Sequence, residues 1–193
     1  MIYIMDKVIR ACYSIDMTGN DIKYLTHGKS RVVLYDNLTV NDDIVRVIGP
    51  TKQVLLLFPT TANPTTGHWL ALTIDGKTIS HFDSYGLAPH AELRYSQNPN
   101  VKADILGQLY AKATLQGYKI VWNTVDLQEM SRGNNQCGRF AAIRNRFHFL
   151  TLPQFAALFK GQKLSPDYLI TILTFLSISH FDNRTQELIT QNM

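Results

Sequence analysis

Between Gln53 and Phe58 the chain reads QVLLLF, a continuous apolar run ended by Pro59. A run of that length with no polar alternation predicts a short strand buried on both faces. Further on, HWLALTIDGKTISHFDSYG holds two strand-like runs around Asp75-Gly76, a strong hairpin signal. YKIVWN predicts another strand. Helical spacing appears elsewhere. MTGNDIKYL offers Thr18 as a cap with Asp21 three positions on, a capping-box arrangement that Gly19 weakens. Val101 to Ala113 has an amphipathic pattern, and Cys137 to Leu150 carries apolar residues at Phe140, Ile143 and Phe147. Leu152 to Phe159 and Ser165 to Ile178 predict two more helices, the last with Pro166 at a suitable first position. Asp36 to Ile48 fits neither period. With no internal repeat and no low-complexity tract, the pattern predicts one α+β domain over residues 1–193, its helices gathered late in the chain.

Composition narrows the class. The 193 residues, 45% hydrophobic and 18% charged, suffice for one sizeable core and are too balanced for disorder. A formal charge of +4 permits binding to nucleic acid or an acidic surface without requiring it. Two cysteines, Cys12 and Cys137, are too few for a disulfide framework, and no CxxC or Cys/His cluster suggests a metal. A reducing compartment, no metal and no cofactor are expected. MIYIMDKVIR lacks the continuous apolar core and cleavage site of a signal peptide. The longest apolar region, Tyr168 to Ser179, is well short of the ~20 residues of a spanning helix, so no membrane partner is expected.

Candidate chemistry begins in the hairpin. If Asp75-Gly76 is a two-residue turn, counting outward sets His68 directly opposite Asp83, with Cβ atoms about 4.5 to 5.5 Å apart. An aspartate accepting from Nδ1 would fix the tautomer and leave Nε2 to exchange a proton with a nucleophile. An ordinary polar pair on a solvated face is the plainer alternative. Trp69 and Phe82 would point to the opposite face and anchor both strands in a core.

The nucleophile is sought in NNQCGRF, residues 134 to 140. A thiol at the first turn of a helix feels the partial positive charge of unpaired N–H groups, which favours the thiolate. Gly138 would leave room for a substrate backbone, and the Cys137 N–H could face a developing oxyanion. A small hydrophobe that happens to precede a helix is the plain reading of the same cysteine. His148 lies about 16 Å along the same helix, out of reach, and His81 should oppose Leu70. His27, His90 and His180 have no acid that spacing identifies. Spacing leaves the second oxyanion donor open among Gln128, Asn134, Asn135 and Gln136.

GHWLAL, FDSYG and a glutamine ahead of NQCGRF, in that order, resemble the adenovirus-endopeptidase and SUMO-deconjugase group of cysteine proteases. The likeness runs from about Val54 to Arg146 and is nearest to the capsid-maturation proteases of virophages and related large DNA viruses. It implies a papain-like α+β fold, a mixed sheet packed against a central helix that starts at the nucleophile. By resemblance Cys137 is the nucleophile, His68 the general base, Asp83 its orienting acid and Gln128 the oxyanion donor. The spacing from Gln128 to the cysteine exceeds that of the adenovirus enzyme, which keeps Gln136 in competition. Trp69 and Gly138 would border the substrate, and the loops Pro59 to Gly67 and Ser84 to Pro99 would form the rim.

The implied substrates are viral capsid or core precursor proteins cut near small residues such as Gly during virion maturation. The implied location is the virion and the host-cell cytoplasm or virus factory. Arg132, Arg139, Arg144 and Arg146 could give weak DNA binding, though a solvated helix face explains them equally. Removal of a ubiquitin-like modifier is the alternative with the same chemistry. A basic nucleic-acid-binding or structural virion protein on an inactive protease fold is the alternative from another class.

Overall fold

A computed structural model describes residues 2–61, 67–94, 104–131, 133–177 and 190. Among these residues five strands form one mixed sheet in the order β1 to β5: Arg31–Leu34, Gln53–Pro59, Gly67–Asp75, Thr78–Phe82 and Lys119–Trp122. The central pairs are antiparallel, and the outer strands β1 and β5 run parallel to their neighbours. Among the described residues seven helices accompany the sheet: α1 Ile2–Ala11, α2 Gly19–Leu25, α3 Ile44–Ile48, α4 Ile105–Leu115, α5 Cys137–Arg146, α6 Leu152–Ala157 and α7 Pro166–Ser177. The α+β class is therefore as expected, but helices are not confined to the later chain, since α1 to α4 all precede Cys137. None of the described helices is long and apolar enough to cross a membrane.

The apolar run of β2 is explained by two cores. Leu55 and Leu57 alternate with Val54, Leu56 and Phe58, so successive side chains enter opposite faces of the sheet. Leu55 and Leu57 join Trp69, Ala71 and Phe82 against Phe140, Ala141 and Ile143 of α5. Val54, Leu56 and Phe58 join Leu70, Leu72 and Ile79 against Ile44 and Ile48 of α3 and Leu106 and Leu109 of α4. The result is three layers with the sheet in the middle.

Several local expectations hold. Thr18 caps α2 in a reciprocal box with Asp21, and Pro166 opens α7. Others shift. Asp104 caps α4, whose described start at Ile105 lies beyond residues 101–103, which fall outside the described residues, as does Ile178. The ambiguous Asp36 to Ile48 stretch resolves into a short 3-10 turn, Tyr35–Asn37, and α3, with Asp43 as its cap. The hairpin loop is Gly76-Lys77, with Asp75 paired to Thr78 and Ala71 to Phe82. Gly76 takes φ 54, the conformation a two-residue hairpin loop needs at its first position. This register differs by two residues from the expected one, so His81 opposes Leu72 and not Leu70.

Two of the four arginines expected on a basic surface are interior. Arg144 donates to the carbonyls of Phe147 and Leu150 and sits over the Phe155 ring, satisfying the end of α5. Burial lowers its pKa to about 10. Arg139 donates to Thr174 Oγ1 and the Cys12 carbonyl, tying α5 to α7 and to the segment after α1. Arg146 is exposed, and Arg132 lies outside the described residues.

Gly138 lets α5 settle onto the sheet. A Cβ there would lie 2.7 Å from Met17 Cβ and 3.1 Å from Trp69 Cδ1. Gly138→Ala is expected to lower unfolding free energy by about 1–3 kcal/mol in urea titrations, the usual range for overpacking.

Candidate active site

The site forms at one end of the sheet, where the start of β3, the end of β4 and the first turn of α5 meet. Gly67 opens β3 opposite Pro59, and the next residue, His68, is buried. A side chain at position 67 would collide with the Phe58 carbonyl, so the close pairing of β2 and β3 beside His68 depends on glycine.

Asp83 follows the last residue of β4 and is completely buried. Its backbone is clamped by one side chain: Asn123 Oδ1 accepts from the Asp83 N–H at 2.9 Å, and Asn123 Nδ2 donates to the Asp83 carbonyl at 2.6 Å. The parallel register of β4 and β5, which pairs His81 with Trp122, brings these two residues together just beyond the strands. Asp83 Oδ1 accepts from the Tyr85 N–H at 2.6 Å, and Gly86, at φ 69, donates its N–H to the Asp83 carbonyl. FDSYG is thus an aspartate-led turn.

His68 Nε2 lies 3.2 Å from Asp83 Oδ2. The two atoms are in ion-pair contact but are not aligned as a directed hydrogen bond. Cys137 and His68 line the same cleft, and the Cys137 sulfur is one of the groups that raise the His68 pKa. Because Nε2 faces the carboxylate, Nδ1 is the nitrogen left for the thiol, the reverse of the expected ring orientation. The pair is also not directly cross-strand. In the observed register position 85 would face His68, and Tyr85 indeed stacks on the imidazole with centroids 5.1 Å apart and planes 20° apart. Asp83 is the diagonal neighbour, still on the same face, because the register slipped by two and not one.

Burial, the largest single influence, drives the His68 pKa down, but the pull of Asp83 and of the neighbouring Cys137 sulfur together outweighs it and raises the imidazole pKa well above the usual histidine range. For Asp83, burial pushes upward, yet the charge of His68 and the Tyr85 N–H keep the carboxyl below its ordinary value. Tyr85 is raised, first by burial and then by the negative groups around it.

Cys137 is half-buried at the first residue of α5. The residues before it are tied to the N-terminal segment: the Asn135 N–H donates to the Tyr13 carbonyl at 2.8 Å and Asn135 Nδ2 to the Ser14 carbonyl at 3.1 Å. Gln128 is fully buried, its Oε1 accepting from Ser84 Oγ and its Nε2 donating to the Asn134 carbonyl, both at 2.8 Å. Gln136, which precedes Cys137 as the helix cap, is also fully buried, and its carboxamide has no hydrogen-bond partner. A cleft of about 260 Å³ opens over Cys137 and His68, with Tyr85, Leu87, Met130 and Asn134 among its walls.

Trp69 and Gly138 are placed otherwise than expected. Both are buried in the packing of α5 on β3, Gly138 pressed between Met17 and Trp69, so its missing side chain makes room for protein, not for substrate. Of the expected rim, Thr60, Gly67, Tyr85 and Leu87 border the cleft, while residues 62–66 and 95–99 fall outside the described residues. Sequence reading missed Asn123, Ser84 and Tyr85 as supports. The Asp-Ser-Tyr-Gly turn signal could have found Tyr85, whereas nothing in the sequence marks Asn123 except its place after a predicted strand.

No family model matches the chain. It is 28% identical over 177 residues to the uncharacterized protein V9 of Sputnik virophage, covering 87% of this chain and 99% of that one. Among solved structures it is similar to the ASFV pS273R protease, with a TM-score of 0.48 and 13% identity over 83% of this chain and 67% of that one. It is also similar to the central domain of the uncharacterized Lpg1148 protein from Legionella pneumophila, with a TM-score of 0.40 and 17% identity over 91% and 98% of the two chains. These likenesses are partial, and the functional reading rests on the geometry of the site.

The ion pair gives stability a defined pH window. The share from His68, whose folded pKa is raised, is complete below about pH 6.5 and fades as pH rises through that raised value. The share from Asp83, whose folded pKa is lowered, is complete above about pH 4 and fades as pH falls through that lowered value. Urea unfolding of the wild type should therefore show a plateau between about pH 4 and 6.5. Asp83→Asn should flatten the alkaline decline.

Proposed function

We propose that the chain is a viral cysteine endopeptidase that cuts capsid or core precursor proteins near small residues during virion maturation. The observation that carries this reading is His68 lying between a buried carboxylate and the thiol of Cys137 at a helix N-terminus. In the proposed cycle the thiol proton already rests on His68, which is charged, and the Cys137 thiolate attacks the peptide carbonyl. The imidazolium then passes that proton to the leaving amine, giving a thioester. His68 next draws a proton from water, which attacks the thioester and releases the acid. Asp83 holds the ring and offsets its positive charge throughout.

The oxyanion faces the Cys137 N–H, one of the helix donors without an intrahelical partner. We assign the second donor to Gln128, whose Nε2 carries a further N–H besides the one given to Asn134. The bonds from Ser84 and to Asn134 preorganise that carboxamide. The enzyme would act in the virion and in the host-cell cytoplasm or virus factory.

Purified wild type and Cys137→Ala protein, each incubated with the capsid precursor, a ubiquitin-like conjugate and DNA, test the reading. Cleavage of the precursor by wild type alone is the expected result. Cleavage of the conjugate alone would make the enzyme an isopeptidase, and DNA binding by both proteins with no cleavage would sink the proposal. Gln128→Ala should lower kcat by about 10²- to 10³-fold, the usual loss for one oxyanion donor. If Gln136→Ala gives the larger fall, the role belongs to Gln136.

A further inference from the structure

One wall of the cleft comes from the N-terminal segment between α1 and α2, which the mechanism above does not use. Asp16 lies in that wall and borders the same cavity as Cys137 and His68. Its neighbours on both sides are fixed. Tyr13 and Ser14 hold Asn135 through their carbonyls, Met17 is buried against Gly138, and Thr18 is locked in the capping box of α2. An exposed carboxylate is therefore carried on a short, anchored span directly beside the nucleophile's helix.

The electrostatics of the cleft contrast with those of the chain. The chain is formally +4, yet among the described residues lining the cleft there is no lysine or arginine, and Asp16 is the one carboxylate. The His68 and Asp83 charges cancel. Asp83, Asp126 and Asp167 all act as negative neighbours of Tyr85, whose ring forms another wall. The other lining groups, Phe58, Leu87, Met130, Asn134 and Asn135, are neutral.

We propose that Asp16 is a specificity-determining residue and that the cleft selects polypeptide segments carrying a lysine or arginine where the substrate passes the N-terminal wall. This rests on the reading of the site as a protease. A cation there meets a short carboxylate side chain carried on backbone anchored on both sides, so less order has to be imposed on pairing than with a long side chain on a loose loop. An acidic residue at the same place meets like charge in a confined cleft and is disfavoured.

The test uses fluorescent octapeptides built on one glycine-containing sequence, in which each position flanking the bond carries lysine, glutamine or glutamate in turn. Binding to the Cys137→Ala protein is read by anisotropy, and cleavage is read separately with the wild type. At one position the lysine peptide should bind about two- to five-fold more tightly than the glutamine peptide, the range of an exposed ion pair, and the glutamate peptide more weakly still. Asp16→Asn should remove the lysine preference, Asp16→Lys should invert it, and added salt should compress it. Equal behaviour of the three peptides at every position, including no binding of any, overturns the proposal. So does a lysine preference that survives Asp16→Asn. Selective binding with no cleavage by the wild type would overturn the protease reading and leave the role of Asp16 standing.

Discussion

A buried contact between an imidazolium and a carboxylate, His68 with Asp83, sets the terms for everything around it. Taking two charges out of water costs several kcal/mol each, and their attraction offsets this only if the remaining polar atoms are also met. Around Asp83 the Tyr85 N–H meets the carboxylate oxygen turned away from His68, and Asn123 holds the Asp83 backbone in place through its N–H and carbonyl. Loss of one charge would leave the other buried and unpaired, a situation that typically costs about 3–5 kcal/mol. The pair therefore depends on the chain turning sharply after β4, and on β5 running parallel beside it.

The second constraint is the seating of α5. Its first residue has to reach His68 while its body lies across β3, and this is possible because Gly138 presents no side chain to Trp69 and Met17. Arg139 and Arg144 then pin the helix from within, one to the segment after α1 and to α7, the other to the chain beyond its own C-terminus. Asp167, buried at the start of α7, accepts from the Glu129 N–H and so fixes the loop that leads to the nucleophile. Burial is the main cause of its raised pKa. Thus the thiol is held by contacts from the segment after α1, from α7 and from the sheet together, although the groups that touch the cleft are few.

Much of this was legible in the sequence, and the failures have physical causes. The apolar run of β2, the hairpin and the cap of α2 are local signals, and each appears where its chemistry placed it. Cys137 at a helix start and the nearness of His68 to Asp83 were also legible. The register was not, because Asp75-Gly76 and Gly76-Lys77 are both chemically acceptable two-residue loops. The contact survived since a slip of two residues keeps every side chain on its own face. Strand β1 escaped notice because it is only four residues long and partly buried, with Arg31 at its exposed start. The roles given to Gly138, Arg139 and Arg144 failed for a shared reason. A glycine beside a cysteine and arginines on a helix look like surface features, and only the packing of α5 between the sheet, α2 and α7 shows them to be interior.

The central claim is that His68, held charged by Asp83, activates the thiol of Cys137. The rate of Cys137 modification by iodoacetamide near neutral pH, followed by mass spectrometry in wild type and in His68→Ala, tests it most directly. Cys12, buried and raised in pKa chiefly by that burial, serves as the internal reference. The account predicts that Cys137 reacts much faster than Cys12 and that His68→Ala slows Cys137 while leaving Cys12 unchanged. A Cys137 rate unaffected by loss of the imidazole would contradict it.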